Sequence, residues 1–323
     1  MTPDDISFVR HGLPDSTPFP FFAGRDSAWL LANGLTSPCS VRDVRRTRLG
    51  KLLDRPVIKP MIAASSDGVV RPEVFTPLAD VDLMPSRPSK PFMAGAEAAL
   101  AERWFDFTLT FDAWGHDHKD WGWSQLSRKG GNLVLQLGFP SDHAVLMGST
   151  VRRNMRRDCE FSLHPVRESG CPTLAWVRLD IDMSTGDALI EEVQSDWLRY
   201  LADEVNHLRK TAPRSRDLRS MERYQSALLA AYARIWPRAA VLAALDLVVR
   251  ELQCRTIWMH MPKTGAVLKH ITGTKPPRSL YTGLPKAFCF EPTRDAPHFL
   301  ERKRRRALSL LRKDGDIFWR ISL

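Results

Sequence analysis

Two adjacent carboxylates, Glu191 and Glu192, open the run Glu191-Glu192-Val193-Gln194-Ser195-Asp196-Trp197, and acids at the end of an apolar strand are suited to proton transfer. Residues 174–181 and 188–194 read as strands. Between them Asp182-Met183-Ser184-Thr185-Gly186-Asp187 supplies the glycine and short polar residues of a reversing turn. A reversal centred between Ser184 and Thr185 sets Ile181 opposite Ala188 and Arg178 opposite Glu191, because cross-strand partners share one index sum. Arg178 and Glu191 then form an ion pair on one face. Val177, Leu179, Ile181, Ala188 and Ile190 share the other face, and Glu192 projects among them. Desolvation there is expected to raise the pKa of Glu192 toward neutrality, which suits a general base. The alternatives are that Glu192 caps or cross-links backbone, or that a register shift exposes it.

Other groupings carry weaker chemistry. Residues 114–123 gather His116, His118, Asp117, Asp120 and three tryptophans; His116, His118 and Asp120, with His143, could bind a metal, while the tryptophans could pack beneath a loop or stack on bases. His260 and His270 could flank a pocket or serve as structural hydrogen-bonders. Lys263-Thr264-Gly265 lacks the glycine-rich loop of a phosphate-binding Walker sequence. No cysteine sits in a recognisable nucleophile setting.

The elements that must position the carboxylates are those of an α/β (α+β) chain. Prolines recur through residues 1–92, so a proline-rich N-terminal portion (1–93) of short elements and loops is expected ahead of a main α/β domain (94–323). In that domain 95–103 reads as helix, 105–111 and 132–137 as strands, 143–155 as a helix capped by Ser141, and 160–166 as a strand leading into the hairpin. Trp197, Leu198, Leu201, Val205 and Leu208 form one helical stripe, and a further helix is broken at Pro237. Strands at 256–261, 287–291 and 317–322 and a short helix at 264–271 complete the chain.

The 323 residues carry a net charge of +10, gathered into runs. Arg152, Arg153, Arg156 and Arg157, and Arg304 and Arg305 within 302–306, are the candidate nucleic-acid-binding residues, for RNA or DNA; solvated helix faces are the plain alternative. No apolar run approaches the roughly 20 residues of a membrane-crossing helix, and no export signal is evident at the start. Five scattered cysteines, none in a Cys-x-x-Cys pair, fit a reducing cytoplasm.

The strand 174–178 and the run 189–197 resemble a domain of the large polyvalent proteins of phages and conjugative elements, which ends a hydrophobic strand in Glu-Glu-Ile-Gln-Ser-Asp-Trp. The similarity continues through Trp236, the helix 241–252 and the strand 256–260, about a third of the chain, and implies no chemistry of its own. More distantly, the antiparallel meander, the helix after it, and the following strand, helix and Tyr281-Thr282-Gly283-Leu284-Pro285 with Phe288 resemble the GNAT acyltransferase superfamily. That likeness implies a GNAT-like mixed, largely antiparallel sheet flanked by helices. It makes Tyr281 the candidate acid and Glu192 the candidate base, with Arg178 and Glu191 beside them. Gln194, Ser195, Asp196, Trp197, Trp258 and His260 are the candidate substrate-binding residues. The superfamily's glycine-containing pyrophosphate loop has no counterpart, since 194–200 holds no glycine. The implied donor is therefore acyl-CoA or a different activated acyl group such as aminoacyl-tRNA. The other reading is a non-catalytic nucleic-acid-binding protein of mobile-element origin.

Overall fold

A computed structural model describes residues 1–80, 104–115, 125–141, 143, 147, 172–272 and 279–323. The expected helix at 95–103, the expected strand at 160–166, most of the helix expected at 143–155, and His116, His118, Asp120, Arg152, Arg153, Arg156 and Arg157 lie outside the described residues.

Alternating apolar residues build the strands. In chain order these are β1 (Thr17–Phe21), β2 (Cys39–Ser40), β3 (Val69–Val70), β4 (Phe105–Trp114), β5 (Asn132–Gly138), β6 (Thr173–Asp182), β7 (Asp187–Gln194), β8 (Thr256–His260), β9 (Glu291–Thr293) and β10 (Phe318–Ser322). The helices are α1 (Pro3–Gly12), α2 (Arg25–Gly34), α3 (Val41–Arg45), α4 (Lys59–Ala63), α5 (Thr76–Ala79), α6 (Asp196–Thr211), α7 (Arg216–Tyr232), α8 (Trp236–Asp246), α9 (Pro262–Leu268), α10 (Leu284–Ala287) and α11 (His298–Leu311).

Eight strands form one sheet in the order β1-β4-β5-β6-β7-β8-β10-β9, and β2 pairs with β3 apart from it. Every neighbouring pair in the large sheet is antiparallel except β7 and β8. The proline-rich portion thus contributes β1 as an edge strand, and Phe19, Phe21, Trp29 and Leu31 bury into the same core as β5 to β8. Buried polar links tie it down further: Trp29 Nε1 donates to Asp246 at 2.6 Å and Arg238 pairs with Asp26.

The two faces of the sheet meet different helices. Ala175, Val177, Leu179, Ile181, Ala188, Ile190 and Val193 pack with Trp197, Leu201 and Val205 of α6 and with α8. In α8 every residue from Ala239 to Leu245 is buried, as expected of a helix apolar all round. Pro237 sits in its first turn, where a missing N–H costs nothing, so α7 and α8 are separate helices. On the opposite face Leu189, Trp258 and Phe318 meet Leu268 of α9 and Phe299, Leu300, Leu308 and Leu311 of α11. No single helix among the described residues is long and apolar enough to cross a membrane.

The strand expected at 287–291 does not form. Lys286 and Ala287 end α10, Cys289 takes φ +61°, and pairing begins only at Glu291. Phe288 and Phe290 are buried in the core all the same, so an apolar run needed burial and found it on a helix end and turn.

Candidate functional site

The hairpin closes as its sequence implies. Thr185 and Gly186 N–H groups bond to the Asp182 carbonyl at 3.3 and 3.0 Å, with Gly186 at φ +69°, and Ile181 lies opposite Ala188. The pairing continues through Leu179 with Ile190 and then slips: Arg178 lies opposite Glu192, leaving Glu191 as the extra residue of a β-bulge. This overturns the expected Arg178–Glu191 pair and the expected setting of Glu192 among apolar residues. Arg178 is instead ion-paired with Glu192, and Glu191 takes the buried place, with its side chain 0% exposed.

The bulge coincides with the point where the two parallel strands part. Pairing of β7 with β8 runs from Asp187–Thr256 to Ile190–Met259 and goes no further. Backbone groups freed by the parting need partners, and side chains supply them. Lys269 Nζ donates to the Glu191 carbonyl at 3.3 Å, and the Val193 N–H donates to Tyr281 Oη at 3.3 Å.

Around this gap the charges interlock. The Glu191 carboxylate accepts from Ser127 N (3.1 Å), Ser127 Oγ (2.8 Å) and His260 Nε2 (3.1 Å). Burial alone would push its pKa up; the hydrogen bond with His260 and the nearby Lys269 and Arg178 charges outweigh that and hold it at about 2. Glu192, with its side chain 14% exposed, accepts from Lys269 Nζ at 3.2 Å and from Arg178. Burial again opposes the charge, and Lys269 and Arg178 again prevail, holding it at about 2 rather than raising it as expected from the apolar setting. Tyr281 is buried, and desolvation, reinforced by Glu192, drives its pKa upward, so the phenol keeps its proton.

Ser127, His260 and Glu191 bring together the residue types of a nucleophile relay, with Ser127 Oγ 2.9 Å from His260 Nε2. The geometry is not that of a relay. Serine and carboxylate share the same ring nitrogen, whereas base and orienting groups must occupy opposite nitrogens. His260 Nδ1 is buried and has no hydrogen-bond partner among the described residues.

The remaining expected residues scatter. Ser195 caps α6, accepting from Leu198 N at 3.3 Å and donating to the Leu174 carbonyl at 2.6 Å. Asp196 accepts from Trp176 Nε1 and Arg199, both at 2.8 Å, and from Gln194. Trp197 faces away from the gap, its indole donating to Tyr224 Oη at 2.8 Å in the core. Trp258 also lies apart, donating to Asp187 at 3.0 Å at the other end of β7. Arg304 turns inward at a kink in α11, half-buried, donating to the Leu268 carbonyl at 2.7 Å. Arg305 is exposed.

Ser127 and Lys269 are the site residues that sequence reasoning missed. Nothing in their surroundings marks them, because each reaches the strand ends from a distant segment. No group of three or more His, Cys, Asp or Glu side chains among the described residues is placed to hold a metal ion. The parting of the strands gathers a fixed anion, two cations and a protonated phenol at one point. Comparison with protein-family models, curated proteins and solved structures finds no match for this chain.

Proposed function

We propose that the chain is a GNAT-like acyl- or aminoacyl-transferase acting in the gap between β7 and β8. The observation that carries this reading is the parting of the sheet's one parallel pair, with Glu192, Lys269 and Tyr281 gathered where it opens. Crevices at the carboxyl ends of parallel strands are general ligand sites. The order of meander, helices, strand, helix and tyrosine-bearing turn supports the superfamily reading, which rests on topology and on these residues together.

The electrostatics reassign one role. A carboxylate held near 2 is a weak base, so Glu192 attracts and orients a cationic acceptor. The acceptor ammonium first loses one proton to water, and the free amine then attacks the acyl carbonyl; the new N–C bond forms and the bond to the carrier breaks. Tyr281 gives its proton to the departing sulfur or oxygen, and the proton shed by the amine returns to the phenolate through water. The donor is of the kind that needs no pyrophosphate site at α6, because the start of that helix already holds the Asp196 carboxylate, which would repel a second anion. Aminoacyl-tRNA fits that requirement better than acyl-CoA.

The test is incubation of the full chain with acetyl-CoA or with aminoacyl-tRNA and an amine acceptor, read by mass spectrometry. Transfer from one donor that falls at least tenfold in Tyr281→Phe, with folding intact, is the expected result. No transfer from either donor, or full activity in Tyr281→Phe, overturns it.

A further inference from the structure

Helix α11 carries five consecutive cations, Arg302, Lys303, Arg304, Arg305 and Arg306. The kink at Arg304 (φ −127°, ψ 22°) turns that side chain in toward Leu268 and His270, and leaves the other four exposed. Four acids near this helix are already engaged, Glu301 with Arg312, Asp314 with Lys263, Asp295 with Arg320 and Asp187 with His298, while Asp316 is exposed beyond the helix end. Among the described residues none of the four exposed cations has an ion-pair partner. Four uncompensated like charges on a little over one helical turn repel one another, and an external polyanion relieves that repulsion.

We infer that this face of α11 is a docking surface for the phosphate backbone of a nucleic-acid duplex, independently of what occurs in the strand gap. From residue 302 to 306 the helix rises about 6 Å. A duplex presents one charge per roughly 1.7 Å of axis, hence about four charges over that length, while a single strand at about 3.4 Å per charge presents about two. The exposed face carries no phenyl, phenol or indole ring on which unpaired bases could stack; Phe299 is buried beneath it, and the His298 imidazole is held by Asp187. A lipid surface is a poorer match, because Phe299, Leu300, Leu308 and Leu311 face the sheet and only Leu310 is left exposed as a large apolar group. Backbone contacts of this kind read no sequence.

The experiment is fluorescence anisotropy of a labelled random-sequence DNA duplex with the full chain, repeated across salt concentrations. The α11 variant is Arg302→Gln with Arg305→Gln, and the control is Arg223→Gln with Arg234→Gln, exposed positions on and just after α7. Unchanged circular dichroism and melting establish that the variants fold. Loss of two phosphate contacts makes the slope of log K against log salt shallower by about 1.8, so the affinity lost between about 50 and 200 mM salt shrinks about 12-fold. That result in the α11 variant, with the control unchanged and single-stranded DNA bound more weakly, supports the surface. An unaltered slope in the α11 variant, an equal effect in the control, single strand bound as tightly as duplex, or preference for phosphatidylserine vesicles overturns it.

Discussion

Replacing Glu191 by glutamine removes a charge where no water reaches it, and the structure fixes what should follow. The carboxylate is 0% exposed and accepts three hydrogen bonds, two from Ser127 and one from His260. An amide keeps the shape but offers one acceptor oxygen, and it points an NH2 at Ser127 or His260, which also donate. Lys269 and Arg178 then keep only Glu192 to balance them. Removing one partner from a buried charged network costs about 3–5 kcal/mol. The same carboxylate adds a pH signature. Its folded pKa, about 2, lies below the ordinary 4.5, so its contribution is complete above pH 4.5 and is lost as pH falls toward 2; it amounts to about 3 kcal/mol. Urea unfolding of wild type and Glu191→Gln at pH 7 and pH 3 checks both parts. The variant should lose about 3–5 kcal/mol at pH 7 and a smaller amount at pH 3. A loss under about 0.5 kcal/mol at pH 7, the level of an ordinary surface substitution, would refute the bulged register that buries Glu191.

Three further outcomes are expected. Tyr281→Phe leaves the Val193 N–H without its acceptor and should cost about 1–3 kcal/mol in denaturant unfolding, separately from any loss of transfer activity. His143 is stacked on Phe139, its ring centroid 3.7 Å away, and burial lowers its pKa from 6.5 to about 4. The unfolded chain therefore binds the proton first, and stability falls as pH drops from 6.5 to about 4; His143→Phe should flatten that part of the pH–stability curve. Gly24 sits at φ +104° where an added Cβ would lie 2.8 Å from Val57, so Gly24→Ala combines backbone strain with a clash and should lower stability by about 1–3 kcal/mol or more in a melting experiment.

How far the sequence reveals this molecule depends on the range of the forces at each point. Strands at 105–111, 132–137, 174–181, 188–194, 256–261 and 317–322 appear within a residue or a few of their observed ends, because alternation is a local consequence of having one face buried. β1 was hidden by Pro18 and Pro20, which exclude a central strand but are compatible with an edge. The bulge did leave a trace: apolar residues at 188 and 190 are followed by the next at 193, a spacing of three where strict alternation requires two. Reading that interruption would have exchanged the places of Glu191 and Glu192. Lys269 and Ser127 left none, since each meets β7 across a long loop closure that only the completed sheet brings about.

Among the described residues the sheet ends in two strands, β1 and β9, whose outer hydrogen-bonding groups have no neighbour, and both are poor templates for another chain. β1 places prolines at alternate positions, Pro18 and Pro20, stripping donors from one side of the strand; β9 is three residues long with Pro292 at its centre. A second molecule seeking to extend the sheet finds few N–H groups to grasp at either margin. Restoring them, by Pro18→Thr with Pro20→Thr, would leave the interior unchanged while making crowded solutions of the protein prone to fibril growth.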